Sequence, residues 1–553
     1  MTNRALRRPR AKRVLAPWLK NYPPGVAETV DIPDLPLTAF LDRAAQVFGN
    51  RPAISFAGQR HSYAELKKLV DRAADGLQVL GVTKGIKVGL MMTNSAASVV
   101  MYYAVLRAGG TVVNFNPSYI VRDIARQVAD SHTEIMVTLD AAPLLEKIFA
   151  VRSEMPLRHV VVCPAARLLD GLSQPVPGAI AFADLIANDG APRSVDIDPA
   201  EDIAVLQYTG GTTGIPKGAM LTHRNLVANA LQMQAWFHNA AAGQDKMVVV
   251  LPLFHVFAMT VAMNMPVIKG MEMLILPGFN VGDILSLVTE QRPAFIAAVP
   301  TMYIALANDK RAGEVDFSCL KFCLSGGAPL PADVKRAFEE RTKAKLVAEG
   351  YGLTEFSPVA TCNPITKKAR AGTIGLPIPS TKVDIVSLSD RETVLPPGQK
   401  GEVVVSGPQM MKGYYQRPDE TAEVIRNGRL HTGDVGYMDE DGFVTIVDRV
   451  KDMILVGGFN VYPRHIEEIL YTHPAVEECI VAGVPDKLRG EAVFAWIKTR
   501  AGVQASPEDI KSWLGDKLSP IEIPKKITLR DQPLPRTSVG KLSKKDLLAQ
   551  EGF

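Results

Sequence analysis

Cysteine is scarce in this chain of 553 residues: Cys163, Cys319, Cys323, Cys362 and Cys479 are odd in number and scattered. That excludes a disulfide scaffold, and no His/Cys cluster near Cys319 and Cys323 completes a zinc site. Reduced thiols point to a cytoplasmic protein. Excess charge is also missing from most of the chain. Of 62 Lys and Arg, six (Arg4, Arg7, Arg8, Arg10, Lys12, Arg13) fall in the first thirteen residues, leaving 56 against 58 Asp and Glu. A body without a basic face excludes nucleic acid as the expected partner. The basic tip over 1–17 reads as a solvated terminus, with peripheral contact to an anionic inner membrane surface as the alternative. No signal peptide is expected, because the basic start runs into Pro17 and Trp18 without an apolar stretch. Met247 to Ile268 is the one long apolar run. Pro252, His255, Asn264 and Pro266 interrupt it, so it reads as buried core beside a pocket, not as a membrane span.

What the chain does have is the balance of a large globular protein, with 47% apolar and 22% charged residues. Ser62-Tyr63-Ala64-Glu65 is a capping box, followed at helical spacing by Leu66, Leu69, Val70, Ala73 and Leu77, with Gly81 placed for a C-terminal cap. A strand over 87–92, a helix over 95–108 and a strand over 111–114 make a βαβ unit, which predicts a mostly parallel α/β sheet. From about 380 to 447 the pattern changes to short strands between Gly, Pro and Asp turns, as in a small β-rich subdomain. After Asp448 a separate small α+β domain is expected. In it Pro463 opens a helix bearing Ile466, Ile469 and Leu470, and Ser506-Pro507 opens one bearing Ile510, Leu514 and Leu518.

The most informative stretch is Tyr208-Thr-Gly-Gly-Thr-Thr-Gly-Ile-Pro-Lys217, read as lying between an apolar strand at 203–206 and a helix bearing Leu226, Ala230 and Met233. Backbone N–H groups of Gly210, Gly211 and Gly214 can turn inward. The hydroxyls of Thr209, Thr212 and Thr213 add donors and Lys217 adds a cation, a set that wraps a polyphosphate. It is not a Walker A loop, since Pro216 stands where that motif needs glycine.

With Tyr351-Gly-Leu-Thr-Glu355, Thr432-Gly-Asp434, Asp448-Arg-Val-Lys-Asp452 and Gly540-Lys541, this segment resembles the acyl-adenylate-forming superfamily. Within it the sequence is similar to AMP-forming fatty-acid–CoA ligases. Trp18-Leu-Lys-Asn-Tyr-Pro-Pro and Ile454-Leu-Val-Gly-Gly-Phe-Asn-Val-Tyr-Pro463 resemble the long-chain members. The resemblance implies a large N-terminal α/β domain over 18–448, a hinge at 449–452 and a mobile C-terminal domain over 453–553. It implies two half-reactions: a carboxylate attacks the α-phosphate of Mg-ATP, and the thiol of coenzyme A then displaces AMP.

The implied roles follow residue by residue. The Thr209–Lys217 loop takes the β- and γ-phosphates, Glu355 holds Mg²⁺ and Thr354 donates to the α-phosphate. Tyr351, with Gly352 beside it, stacks on adenine, and backbone at Gly326, Gly327 and Ala328 lines the other side. Asp434 accepts from the ribose with Arg449 as helper. Lys541 bridges carboxylate and α-phosphate, Lys451 is the hinge, and Gly458 lines the coenzyme A tunnel, where a side chain would obstruct close approach. Phe254, Phe257, Met259, Met302 and Tyr303 are expected to line the acyl pocket. His255 reads equally as a core histidine or as a group facing the carboxylate. A homodimer, and an acetyltransferase and deacetylase acting on Lys541, complete the expected partners.

The leading reading is a ligase for medium-to-long fatty acids. Dicarboxylic or aromatic acids, a carrier protein as acceptor, a luciferase-like oxygenase and a nucleotide-binding scaffold without catalysis stay open beside it.

Overall fold

The computed structural model describes residues 16–172, 174–209, 216–344, 347–486, 489–500, 502–536 and 542–553. Four sheets organise them. The first runs in the order Ile180–Ala181, His159–Cys163, Thr133–Leu139, Lys87–Met91, Thr111–Asn114, Ile203–Tyr208 and Gly218–Thr222. All its pairs are parallel except the last. The expected βαβ unit is its centre, with the helix Ala96–Arg107 capped by Ser95. The capping box at Ser62 and Glu65 is formed, and Gly81 follows the helix Tyr63–Val79 with φ +94°.

The second sheet has a parallel centre, Val347–Gly352, Phe322–Ser325, Phe295–Ala298, Lys246–Val249, Glu272–Ile275 and Pro52–Phe56, with antiparallel strands at both edges. Its alternation splits the interior. Met247, Val249, Phe295, Ala297, Phe322 and Leu324 join the main core shared with the first sheet. Val248, Ile296, Ala298 and Cys323 face a second cluster with Tyr303, Phe317 and Phe338. Both faces are covered, as an α/β sheet of this kind requires.

A third, antiparallel sheet holds Lys382–Val386, Gly401–Ser406, Arg429–Met438 and Val444–Arg449, the β-rich part expected from turn spacing. The fourth belongs to the small C-terminal α+β unit and is built on the long pair Val476–Asp486 and Gly490–Thr499. The chain is therefore α/β, with a large part on parallel sheets and a small C-terminal part. Helix Pro463–Tyr471 buries Ile466 and Leu470. Helix Pro507–Gly515 stops before Leu518, which is nevertheless buried in the same cluster.

Met247 to Ile268 is buried almost throughout and folds as the end of a strand, a turn, a π-helical stretch Ala258–Asn264 and the start of helix Met265–Lys269. Its polar groups are satisfied inside the protein: Tyr103 donates to Asn264 at 3.0 Å, and Thr260 donates to the Ser357 carbonyl at 2.6 Å. Among the described residues, no helix is long and apolar enough to cross a membrane.

His223, the first residue of helix His223–Trp236, is 2% exposed and its Nδ1 accepts the Leu37 N–H at 3.3 Å, pinning the start of helix Thr38–Phe48. Burial pushes its imidazole down to about 4 from 6.5, against the opposing pull of Asp202. The unfolded chain therefore binds the extra proton between those values, so the stability is complete above pH 6.5 and is lost as pH falls toward 4. His223→Gln keeps an acceptor without the titration. Over that window wild type should lose about 2–3 kcal/mol more than the variant, read from urea or thermal unfolding at successive pH values.

Candidate active site

Strand–loop–helix geometry, as in nucleotide folds with a phosphate loop, does not occur at Thr209. The chain returns directly as an antiparallel strand, with Tyr208 opposite Gly218, and only then enters the helix. The sequence reading missed this strand because Gly218-Ala-Met-Leu-Thr carries no strong strand pattern. The two strands thus form a hairpin, closed at the Thr209 end by the Thr209 N–H to the Lys217 carbonyl at 3.0 Å. Gly210, Gly211, Thr212, Thr213 and Gly214 lie outside the described residues. Asp130 braces the hairpin: it accepts from the Tyr208 hydroxyl and from Arg417, each at 2.6 Å.

The segment 411–417 brings the rest of the site to this hairpin. Met220 and Lys412–Gly413 exchange backbone hydrogen bonds, Tyr415 N–H donates to the Gly218 carbonyl, and Met411 N–H donates to the Glu355 carbonyl at 2.9 Å. Tyr414, placed between these anchors, donates its hydroxyl to Glu355 Oε1 at 2.6 Å, while the Lys217 ammonium stands 5.1 Å from its ring centroid. Burial and the carboxylate both push the Tyr414 phenol well above its ordinary range, so it remains a donor. Tyr414, Asp130 and Arg417 were not singled out from sequence. The run Gly413-Tyr-Tyr-Gln-Arg417 after a strand was the only local signal for Tyr414 and Arg417.

Glu355 sits on the single turn Thr354–Phe356 after the strand Val347–Gly352, with Thr354 half-buried beside it. Gly352 is what permits the turn: a Cβ there would lie 2.2 Å from the Pro358 carbonyl oxygen. Among the described residues no donor reaches Glu355 Oε2, and no group of three His, Cys, Asp or Glu gathers as a metal cage. A lone carboxylate beside a phosphate hairpin fits Mg²⁺, a hard cation that takes one or two carboxylates and completes its sphere with substrate phosphates and water.

Asp434 is 5% exposed on the strand Arg429–Met438. Its Oδ1 accepts from Arg449 Nε at 3.0 Å across the neighbouring strand, and its Oδ2 accepts from the Tyr351 hydroxyl. The residues expected at base and ribose are thus directly joined. Burial and the Asp434 charge hold the Tyr351 phenol far above its ordinary range, so it too stays a donor. Gly433, at φ +71°, turns its N–H to Glu402 at 3.2 Å and lets Thr432 accept from the Asp434 N–H.

Across from them, Gly326 closes the strand Phe322–Ser325, Gly327 follows at φ +81° and Ala328 leads away. The Phe257 ring packs against Gly326, where a Cβ would stand 3.0 Å from it. The expected adenine shelf and the expected acyl wall therefore touch. Phe254 lies nearby, and its carbonyl accepts from Gln207 Nε2 at 3.0 Å. Gln207 in turn accepts from Asn114, whose amide also approaches Met259 Sδ at 3.7 Å. This buried amide chain was not foreseen, because two amides 93 residues apart carry no local pattern. A cavity of about 20 Å³ between Asn114, Tyr102, Leu253, Phe254 and Met263 has room for a water molecule, not for an acyl chain.

Tyr303 requires a correction. It faces the second cluster, packed on Phe338 at 5.0 Å with its hydroxyl donated to the Leu324 carbonyl, so the sheet separates it from Phe257 and Met259. Both residues lie on the helix Pro300–Asn308, where each residue turns about 100° from the last: Met302 packs against both clusters, and Tyr303 is carried wholly to the second. His255 is anchored in the turn before Phe257, with Nδ1 accepting the Phe257 N–H at 3.3 Å.

Lys451 is exposed in the connection between Val444–Arg449 and Ile454–Val456, which joins the third and fourth sheets. Gly457 and Gly458, at φ +59° and +86°, form the two-residue turn between Ile454–Val456 and Phe459–Val461, and among the described residues nothing lies within 4 Å of a Cβ at either. Lys541 lies outside the described residues. Its flanks are anchored: Arg536 bridges to Leu542, and Ser543 N–H donates to the Pro535 carbonyl. Lys544, just beyond, pairs with Glu467 at 3.3 Å.

The fold is that of adenylate-forming enzymes, and the candidate site residues come from all three sheets of the large part. The AMP-binding enzyme family model matches residues 41–415, and the AMP-binding enzyme C-terminal domain matches 465–541. The chain belongs to the AMP-binding enzyme family. It is 40% identical to a long-chain-fatty-acid–CoA ligase of Bacillus subtilis, covering 97% of this chain and 98% of that one. It is 38% identical to the enzyme of the same name from Escherichia coli, over 96% and 97%. The crystal structure of ATP-bound MatB from Rhodopseudomonas palustris superposes with a TM-score of 0.84 at 30% identity, covering 93% of this chain and 99% of that chain.

Gly352→Ala tests the tightness of the Glu355 turn. It should lower stability by about 3 kcal/mol or more and weaken ATP binding, measured by thermal unfolding and titration calorimetry.

Proposed function

We propose that the protein is an ATP-dependent, AMP-forming ligase that joins medium-to-long-chain fatty acids to coenzyme A. The observation that carries the reading is the meeting of Glu355 and Lys217 on one residue, Tyr414, at the base of a Gly/Thr hairpin. A carboxylate and an ammonium placed there suit a metal-bound triphosphate. The choice of acid rests on the long-chain fatty-acid ligases of Bacillus subtilis and Escherichia coli.

Each residue then has a task. Lys217 and the hairpin amides hold the β- and γ-phosphates. Asp434, oriented by Arg449, accepts from the ribose hydroxyls, and Tyr351 lies along the base. Mg²⁺ held by Glu355 would neutralise charge on the phosphates. Thr354 donates to the α-phosphate, while Lys541 sits between it and the fatty carboxylate, stabilising charge as it moves between oxygens. Attack forms the mixed anhydride and expels pyrophosphate. The coenzyme A thiolate then adds to the acyl carbon and AMP leaves, its phosphate taking back the bonding pair. Rotation about Lys451 withdraws Lys541 between the two steps, so one pocket serves both. Removing the Lys541 charge by acylation would silence the first half-reaction.

The acyl end is supported by apolar and sulfur-containing side chains. Phe254, Phe257, Met259 and Met302 border the nucleotide side, and Met263 borders the small cavity next to it. Methionine has the rotamer freedom to open such a space to a chain. Each methylene adds only about 0.8 kcal/mol, so neighbouring chain lengths should be accepted with graded efficiency.

AMP release with Mg-ATP and coenzyme A, run across monocarboxylic acids of rising length beside dicarboxylic and aromatic acids, should peak with a fatty acid. Mass spectrometry should find its thioester. A peak with a dicarboxylic or aromatic acid would overturn the substrate assignment while leaving the chemistry intact. Lys541→Ala should cut adenylate formation by about a hundredfold or more with ATP affinity little changed. Normal adenylate formation by that variant would remove Lys541 from the mechanism.

A further inference from the structure

Tyr414 occupies a position that the chemistry of the site leaves unassigned. It is 7% exposed and held from both sides by backbone: Met220 N–H donates to the Gly413 carbonyl, and Tyr415 N–H donates to the Gly218 carbonyl. Its own N–H donates to Thr421 Oγ1 at 2.9 Å, so the residue cannot swing without breaking the turn. From this fixed place its hydroxyl reaches Glu355 Oε1 at 2.6 Å and its ring face lies 5.1 Å from Lys217 Nζ. One rigid side chain therefore touches both the carboxylate of the Thr354–Phe356 turn and the Lys217 cation at the hairpin base.

Resting on the reading of Glu355 as the metal-bearing group, we propose that Tyr414 is a positioning residue for Mg-ATP. Its hydroxyl ties up one carboxylate oxygen and presents the other, and its ring seats the lysine that meets the same triphosphate. The physical reasons are separate and additive. A carboxylate with one oxygen engaged by a neutral donor loses its rotational freedom before a metal arrives, and groups that orient a metal ligand in this way typically change affinity by 10–100-fold. A cation over an aromatic face is held without being neutralised, unlike one in a salt bridge. Lys217 thus keeps its full charge for phosphate. An acid in place of Tyr414 would bind the lysine more tightly and cancel it.

Two substitutions separate the two contacts. Tyr414→Phe removes the hydroxyl and keeps the ring, and Tyr414→Leu removes both. Titration calorimetry with ATP, in excess Mg²⁺ and again in EDTA, reads the metal-dependent part of binding directly. Tyr414→Phe should weaken ATP binding about tenfold in Mg²⁺ and leave it unchanged in EDTA. Tyr414→Leu should weaken it in both. Glu355→Gln supplies the control on the underlying reading, and the double variant Glu355→Gln/Tyr414→Phe completes the cycle. Added to Glu355→Gln, Tyr414→Phe should cost nothing further. An equal loss in both backgrounds would make the hydroxyl merely structural and overturn the proposal, as would a Tyr414→Phe variant indistinguishable from wild type. If Glu355→Gln itself leaves the Mg²⁺-dependent part of ATP binding intact, the assignment of Glu355 fails, whatever Tyr414 does.

Discussion

The site depends on one set of backbone hydrogen bonds, those by which the segment 411–415 lies along the strand Gly218–Thr222. A two-stranded hairpin at the edge of a sheet is a poor platform for a charged ligand, since its outer strand has unpaired amides and freedom to twist. Adding a third chain to that edge satisfies the amides and stiffens the hairpin. It also carries in Tyr414, and with it contact to Glu355 on the second sheet. The hairpin belongs to the first sheet, the turn at Glu355 follows a strand of the second, and the added segment connects to the third. The three sheets are thus locked together at the candidate site, beside Lys217 and Glu355.

Around this junction the polar groups are placed by burial. Asp434 accepts from Arg449 and from Tyr351, and Glu355 accepts from Tyr414, so each carboxylate has a phenol that stays protonated. A buried carboxylate without such partners would take up a proton and lose its use for a sugar or a metal. Two tyrosines are well suited to the task because a phenol supplies a hydrogen bond without adding a charge. The same economy explains the glycines at 352 and 433, which let the backbone turn close to these acids.

The two faces of the second sheet explain why the apolar wall was only partly legible. Strand residues alternate between clusters, so neighbouring positions report on different interiors. Phe257 and Met259 belong to the main core, with Phe257 against Gly326, whereas Tyr303 belongs behind the sheet with Phe338. Nothing in the run Val299–Tyr303 reveals which face a side chain meets, because Pro300 starts a helix whose orientation is set by what it packs against. Asn114 and Gln207 were invisible for a related reason: each amide is ordinary alone and becomes a buried pair only when two parallel strands are brought side by side.

The sequence by itself determined the local events whose physics is contained in a few residues. Capping boxes at Ser62 and Ser506, the glycine after the helix at 81, the proline opening the helix at 463 and the periodicity of the βαβ unit all formed where their chemistry required. The order of the Gly/Thr loop, Glu355, Asp434 and Arg449 likewise declared a nucleotide chemistry before any fold was known. Only the tertiary structure decided that Ile203–Tyr208 and Gly218–Thr222 pair as a hairpin and that Lys544 pairs with Glu467. It alone decided that Tyr414, 59 residues from Glu355, donates to it. Caps and periods are short-range and are written in adjacent residues. Strand pairing and the partners of buried charges depend on which distant segments share a dielectric environment, and that is settled only when the core closes.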